Sequence, residues 1–181
     1  EECKNLLAAN ALKEAEASLL HLSQTVKDAF CELRRIAMDL RPSTLDDLGI
    51  LATLSWFFRE LENTCHGIKI EKCLLIQECE IPAPLKITIF RILQEAVSNI
   101  VKHAKANHIR VSLMKEEGML HLSIEDNGLG FNPAGLVCNL PQEQGIGLTS
   151  MKERANFSAG KFKIESVIGQ GTQIRVSWPC A

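Results

Sequence analysis

The sequence predicts an α+β fold: a two-layer α/β sandwich, in which helices cover one face of a mixed, largely antiparallel sheet, preceded by a long helix. Three observations predict it. Residues 7–40 contain no Pro or Gly and repeat apolar residues at helical spacing. Residues 84–106 carry a second amphipathic helical pattern. Five further segments have the character of strands, and two of them alternate apolar and polar residues clearly.

Composition limits the class of protein. A chain of 181 residues suits one or two domains, and we divide it into residues 1–42 and 43–181 because Pro42 disfavours helix at Arg41. A net charge of −2 argues against a nucleic-acid-binding face, which needs clustered Lys and Arg. We find no apolar run that could span a bilayer and no signal peptide. Seven Cys without paired CxxC spacing indicate free thiols in a reducing cytoplasm.

The N-terminal segment has an apolar stripe wide enough for packing against another helix. The stripe consists of Leu12, Ala15, Leu19, Leu22, Val26, Ala29, Phe30, Leu33, Ala37 and Leu40. A helix this long and amphipathic needs a partner. His21 stands between Leu20 and Leu22 with no acidic neighbour, so we interpret it as an ordinary helix residue.

The second domain begins with a helix predicted for residues 46–65, followed by a strand at 68–75. The helix at residues 84–106 places six side chains on one stripe, which we assign to the core: Ile89, Leu93, Ala96, Val97, Ile100 and Ala104. Its other side carries four polar side chains within an arc of roughly 100°: Glu95, Asn99, Lys102 and His103. Such a face can be merely solvated, or it can bind a ligand.

Residues 108–115 and 119–125 read as a β-hairpin with one buried face. Its second strand runs into DNGLGF, residues 126–131, where Gly permits positive φ and a missing Cβ lets a flat ligand approach the backbone. Asp126 could equally serve turn chemistry. Gly145 and Gly147 open a helical pattern at 146–155, whose first N–H groups attract phosphate. The last strands are predicted at 161–167 and 173–178.

In this order, the motifs resemble the ATPase domain shared by sensor histidine kinases, DNA gyrase, mismatch-repair ATPases and the large heat-shock chaperones. Residues 95–104, EAVSNIVKHA, resemble the N box, and DNGLGF and GIGL resemble the two glycine boxes. Residues 33–50 and KHAKA are similar to histidine kinases that pair with LuxR-like response regulators. The resemblance covers residues 33–178 and implies a Bergerat-type ATPase fold preceded by a dimerisation helix.

The resemblance implies ATP and Mg²⁺ as cofactors. Asn99 would ligate the Mg²⁺ that bridges the phosphates, which suits a hard cation that prefers oxygen ligands. Lys102 would contact phosphate, and Glu95 would act as a catalytic base or only orient the metal shell. The phosphates would also be held by the backbone of Gly145, Gly147 and Leu148. Residues 132–144 would form a short lid over the ATP.

The same resemblance assigns the residues around the base. Asp126 would accept a hydrogen bond from the adenine amino group, and His103 would lie beside the ribose or base. Gly128 and Gly130 would leave room for the base. Thr172, in the turn before the last strand, would bond adenine through a water.

Three functions remain open. The first is the catalytic domain of a two-component sensor histidine kinase, which transfers the γ-phosphate of ATP to a histidine and thence to a response-regulator aspartate. The second is another ATPase or serine kinase of the superfamily, such as an anti-sigma factor kinase. The third is a non-catalytic interaction module with a degenerate nucleotide pocket, against which the intact Asn99, Asp126 and glycines argue.

The first function carries further expectations. The acceptor histidine of the resembled kinases follows Glu and precedes Asp on a preceding helix, and no such sequence occurs here, so we expect it outside this chain. The partners would be a second copy, bound through the N-terminal helix, and a response regulator with a LuxR-like output domain. The location would be cytoplasmic, whether as a separate protein or as part of a membrane-bound sensor.

Overall fold

The computed structural model describes residues 15–19, 21–23, 25–26, 43–65, 67–132 and 142–180. The chain divides into two compact units, Glu1–Pro42 and Ser43–Ala181. In the first unit the described residues are helical and exposed; the rest of the helix predicted at 7–40 lies outside them. None of the helices within the described ranges combines the length and the hydropathy needed to cross a bilayer.

The second unit is an α/β sandwich. Its helices are α1 (Ser43–Asp47), α2 (Ile50–Thr64), α3 (Ala83–Asn99) and α4 (Gln142–Phe157), with a 3₁₀ turn at Glu78–Glu80 and a π turn at Ile100–Ala104. Its strands are β1 (Lys69–Leu75), β2 (His108–Glu116), β3 (Met119–Asp126), β4 (Lys161–Val167) and β5 (Gly171–Pro179). They form one sheet in the order β1-β2-β3-β5-β4.

Strand β1 pairs with β2 in parallel, and the other neighbouring strands are antiparallel. The predicted mixed, largely antiparallel sheet is therefore confirmed, and each strand lies within two residues of its predicted bounds. On β3, Leu120, Leu122 and Ile124 are buried while the residues between them are only half-buried, as expected for a sheet with one covered face.

Helix α3 packs its apolar stripe into the core between the sheet and the other helices. Five of the six residues assigned to that stripe are buried: Ile89, Leu93, Ala96, Val97 and Ile100. Ala104, the sixth, is half-buried because the helix widens into the π turn there. The sequence pattern thus predicted correctly which side of this helix faces the core.

The helix predicted at residues 46–65 is wrong as a single helix, because it breaks at Gly49. Gly49 has a φ of 82°, a conformation that glycine adopts without strain. The N-terminus of α2 is then capped by a remote side chain: Glu78 accepts hydrogen bonds from the backbone N–H of Ile50 at 2.9 Å and of Leu51 at 3.0 Å. A Cβ at Gly49 would overlap the Glu78 carboxylate, so glycine also makes room for this cap.

Glu78 is held in its charged form. Burial raises the pKa of the Glu78 carboxyl, but the hydrogen bonds from Leu51 and Ile50 and the charge of Lys86 outweigh burial, and the pKa lies below its ordinary value. Lys86 Nζ lies 2.5 Å from the carboxylate. The negative charge also interacts favourably with the positive end of the α2 dipole.

We expect Glu78→Ala to lower the free energy of unfolding by about 1–2 kcal/mol, the usual effect of losing a helix cap. Chemical denaturation followed by circular dichroism measures this difference. Glu153→Ala, which removes an exposed glutamate from α4, is the matched control and should change stability by less than about 0.5 kcal/mol.

The contribution of Glu78 to the free energy of unfolding should also decrease as the pH falls. Because folding lowers its pKa, its stabilisation is fully present above the ordinary glutamate pKa and is lost as the pH falls through the lower, folded-state value. The difference between the parent protein and Glu78→Ala should therefore shrink in acid. A difference that stays constant down to pH 2, or grows in acid, would contradict the capping role.

Candidate functional site

A cavity of about 200 Å³ lies between the C-terminal end of α3 and the inner face of the sheet. Its lining includes six residues that sequence analysis assigned to nucleotide binding: Asn99, His103, Asp126, Gly130, Leu148 and Thr172. These residues come from α3, the π turn, β3, the loop after β3, α4 and β5. The fold thus brings together motifs that are up to 73 positions apart, from 99 to 172.

The sheet side of the cavity consists of two adjacent rows of residues. Asp126 on β3 is paired with Thr172 on β5, and the next inward-facing pair is Ile124 with Ile174. All four line the cavity, so a polar row stands beside an apolar row. Sequence analysis assigned no role to the two isoleucines. The two-residue period places them on the same face as Asp126 and Thr172, and this could have identified them.

Asp126 is a buried carboxylate, with only 5% of the residue exposed. Its Oδ1 accepts the backbone N–H of Gly128 at 2.7 Å, so the turn chemistry considered above is present. Burial raises the pKa of the Asp126 carboxyl above its ordinary value, and this outweighs the backbone hydrogen bonds from Gly128 and Thr172. A carboxylate has about four acceptor positions. Those left over favour a ligand that donates hydrogen bonds.

Asn99 ends α3 and lines the cavity from the helix side. Its Nδ2 is buried and has no hydrogen-bond partner among the described residues. A buried amide without a partner is uncommon and costs free energy, which a ligand can recover. The amide oxygen of the same group is a hard donor of the kind that Mg²⁺ prefers. Asn99 therefore fits a site for a magnesium-bound ligand.

The helix predicted to reach residue 106 is wrong at its C-terminus, because the α-helix ends at Asn99 and a π turn follows. Lys105, with a φ of 51°, ends that turn. The Ala104 carbonyl accepts the backbone N–H of Leu129 at 2.7 Å, which ties the turn to the loop after β3. Lys102 and His103 of the π turn are both exposed, and of the two only His103 lines the cavity. Such turns often occur at functional sites.

The two glycines of the first glycine motif lie where the loop after β3 passes close to neighbouring backbone. A Cβ at Gly128 would overlap the carbonyl oxygen of Ala104. Gly130, with a φ of 59°, would direct a Cβ against the carbonyl of Val167. Both glycines allow the loop to pass between α3 and the β4–β5 turn. Gly130 also lines the cavity, and the expected role of both glycines in leaving room for a base stays a prediction.

Asn127, between Asp126 and Gly128, anchors this loop from its other side. Its Oδ1 accepts the backbone N–H of Asn107 at 3.1 Å and of His108 at 3.0 Å. Its Nδ2 donates to Oδ1 of Asn107 at 2.7 Å. Sequence analysis gave this residue no role. The partners lie about twenty positions away, so nothing local in the sequence indicates them.

The second glycine motif is also placed differently from its prediction. Helix α4 begins at Gln142, so Gly145 and Gly147 lie inside the helix instead of opening it. A helix tolerates glycine at a modest free-energy cost. Gly147 lies where α4 meets α3, since a Cβ there would overlap Oε1 of Glu95 and lie 3.3 Å from Nδ2 of Asn99. Residues 133–141 of the expected lid lie outside the described residues.

Glu95, the predicted catalytic residue, is half-buried and faces α4 near Gly147. It does not line the cavity. Gly128 and Gly147, which were predicted to bind the ligand, do not line the cavity either. Glu95 lies one helical turn before Asn99, so it adjoins the site without forming part of the cavity wall.

Comparison with known proteins shows which family has this architecture. Residues 85–181, more than half of the chain, match the family described as histidine kinase-, DNA gyrase B- and HSP90-like ATPases. The chain belongs to this family. The matched range contains α3 from its third residue onward, the two glycine motifs and the last four strands of the ATPase domain, and it includes every described residue that lines the cavity.

Similarity to two curated relatives extends beyond that range. The chain is 34% identical over 168 residues to the signal transduction histidine-protein kinase/phosphatase DegS of Brevibacillus brevis, covering 93% of this chain and 42% of that protein. It is 34% identical over 174 residues to an uncharacterized sensor-like histidine kinase of Chloroflexus aurantiacus, covering 92% and 28%. The chain therefore spans less than half the length of either relative.

A solved structure shares the fold. The histidine kinase domain of a blue-light activated histidine kinase from Erythrobacter litoralis superposes with a TM-score of 0.58 at 18% identity, covering 71% of this chain and 59% of that one. At this identity, the likeness concerns the fold of the ATPase domain and not its individual residues.

We expect Gly128→Ala to destabilise the domain by about 1–3 kcal/mol, because the added Cβ meets the backbone of Ala104, which cannot move aside. Thermal unfolding measures the loss. Gly147→Ala is the control, since its Cβ meets the flexible end of Glu95 and should cost less. If Gly128→Ala unfolds at the same temperature as the parent protein, the packing role assigned to this glycine is wrong.

Proposed function

We propose that this chain is the ATP-binding catalytic domain of a two-component sensor histidine kinase. It binds ATP and transfers the γ-phosphoryl group to a histidine outside this chain, from which the group passes to an aspartate of a response regulator. The proposal rests above all on one observation in a member of this ATPase family. Asp126, which is buried, and Asn99, whose buried Nδ2 has no hydrogen-bond partner among the described residues, line the same cavity.

The cavity suits the two ends of an ATP molecule. Asp126, desolvated and accepting, recognises the amino group of adenine, while the apolar row of Ile124 and Ile174 contacts the flat face of the base. Asn99 would hold Mg²⁺ through its amide oxygen on the helix side. The ion, when bound, neutralises negative charge on the phosphates during phosphoryl transfer. His103 also lines the cavity.

Glu95 would orient the groups that ligate Mg²⁺. Its carboxylate faces Gly147 and Asn99 at the contact between α3 and α4, and it lies off the cavity wall. A general base needs hydrogen-bond reach to the proton that it removes. The position of Glu95 beside the Asn99 amide favours orientation over proton abstraction.

The partners of the proposed kinase are a second copy of the chain and a response regulator. The described part of the N-terminal helix exposes Leu19, Leu22 and Val26, each with more than 60% of its surface accessible. Their spacing of three and four residues forms one stripe on the helix. The homodimer buries this stripe, and the regulator carries a LuxR-like output domain. Because the proposed kinase uses ATP and a response regulator, we expect this domain to lie in the cytoplasm.

Phosphotransfer tests the proposal directly. The purified chain is mixed with Mg²⁺, ATP labelled on its γ-phosphate, and a separately produced helical hairpin that carries a histidine between Glu and Asp, the setting expected for the acceptor. We expect a label on the hairpin that survives alkali and is lost in acid, as a phosphorylated histidine requires. A hairpin without its histidine is the control. An acid-stable label would instead indicate a serine kinase, and release of free phosphate alone would indicate an ATPase.

Replacing Asn99 tests the metal role. We expect Asn99→Ala to reduce the Mg²⁺-dependent part of ATP affinity by roughly tenfold or more, while affinity in EDTA changes little. Calorimetric titration with and without Mg²⁺ measures both values. Ser98→Ala, one residue earlier on α3 and outside the cavity, is the control. An equal loss with and without Mg²⁺ would show that Asn99 contacts the nucleotide but not the metal.

The dimer can be tested independently of the nucleotide. We expect the double substitution Leu19→Glu and Leu22→Glu to convert the dimer to a monomer, because it places charges in a stripe that the second copy would desolvate. Ala17→Glu with His21→Glu adds the same charge on the opposite side of the helix. Sedimentation velocity distinguishes the two variants. A parent chain that sediments as a monomer at micromolar concentration would contradict the proposed interface.

A further inference from the structure

Ser166 on β4 joins three parts of the candidate site through one hydroxyl group. Its Oγ accepts the backbone N–H of Phe131 at 2.8 Å and donates to the carbonyl of Gly171 at 3.0 Å. It also lies 3.0 Å from Oγ1 of Thr172. Ser166 itself does not line the cavity, whereas Phe131 and Thr172 do. Its influence on a ligand must therefore pass through a neighbouring residue.

The sheet places Ser166 in register with the polar row of the cavity. Thr172 on β5 is paired with Asp126 on one side and with Ser166 on the other. Residues directly opposite each other on neighbouring strands present their side chains on the same face. Asp126, Thr172 and Ser166 therefore form one continuous row, of which the first two face the cavity.

The three contacts of Ser166 determine which hydroxyl is the donor. A serine hydroxyl has one proton and two acceptor positions. The carbonyl of Gly171 can only accept, so it takes the Ser166 proton, and the N–H of Phe131 occupies one acceptor position. The contact to Thr172 is then a hydrogen bond only if Thr172 donates into the remaining position. All three contacts are satisfied at once in this arrangement alone.

We propose that Ser166 is a positioning residue that fixes the hydroxyl proton of Thr172 away from the cavity. Thr172 then presents only lone pairs to a ligand, beside the carboxylate of Asp126, which also only accepts. This polar row favours nucleotides whose purine presents an amino group to Asp126 and Thr172. It disfavours nucleotides whose purine has a carbonyl group at the same position. The inference rests on the proposed nucleotide binding and extends it to base selection.

Nucleotide discrimination tests this role. Affinities for ATP and for inosine triphosphate, whose base has a carbonyl in place of the adenine amino group, are measured by calorimetry. In Ser166→Ala the Thr172 hydroxyl is free to rotate and to donate to that carbonyl. We expect the preference for ATP to fall about threefold to tenfold, the usual range for one hydrogen bond. Ser166→Thr keeps a hydroxyl and should restore the preference.

The ratio of affinities separates positioning from a general structural role. A loosened fold would weaken both nucleotides by the same factor and leave the ratio unchanged, and that result would overturn the proposal. Ser177→Ala, a half-buried serine on β5 outside the cavity, is the control and should not change the ratio. A parent chain that binds neither nucleotide would instead overturn the proposed function itself.

A double-mutant cycle gives a second test. Thr172→Val removes the hydroxyl on which Ser166 is proposed to act. Adding Ser166→Ala to Thr172→Val should then leave the ratio of ATP to inosine triphosphate affinity unchanged. If Ser166→Ala lowers this ratio by the same factor in both backgrounds, Ser166 acts by another route and the proposal is wrong.

Discussion

The candidate site depends on the close passage of the loop after β3 between α3 and the β4–β5 turn. Gly128 contacts the backbone of Ala104 on one side, and Gly130 contacts the carbonyl of Val167 on the other. No side chain larger than hydrogen fits at either contact without moving backbone. This constraint closes one end of the cavity and fixes Asp126, which directly precedes the loop. Both glycines therefore allow neighbouring backbone to approach the loop closely, and Gly130 also lines the cavity.

Burial determines the chemistry of two polar groups that line the cavity. Asp126 is desolvated enough that its pKa rises, and Asn99 retains an amide nitrogen that has no partner within the described ranges. In a region of low effective dielectric, hydrogen bonds to such groups are stronger than in water. Both groups therefore suit a ligand of complementary polarity, in agreement with the nucleotide binding that we propose.

Carboxylates serve two different purposes in this domain. Glu78 caps α2 from another part of the chain and is kept charged by the backbone N–H groups and Lys86. Asp126 is buried beside the cavity, where its charge is less favourable. Burial outweighs the backbone hydrogen bonds of Asp126 and raises its pKa, whereas the hydrogen bonds of Glu78 and the charge of Lys86 outweigh burial and lower the pKa of Glu78. This contrast supports the assignment of Asp126 to ligand binding.

The sequence by itself determined the fold class, the strands and the core face of α3, because helical and two-residue periodicities are local properties that burial enforces. It also identified six of the thirteen described residues that line the cavity, since their types and order are characteristic of the family. Only the tertiary structure decided the break at Gly49, the π turn after Asn99, and the contacts of Glu78 and Ser166. Each of these depends on atoms that are distant in sequence and meet through packing, and no periodicity within a short segment specifies such contacts.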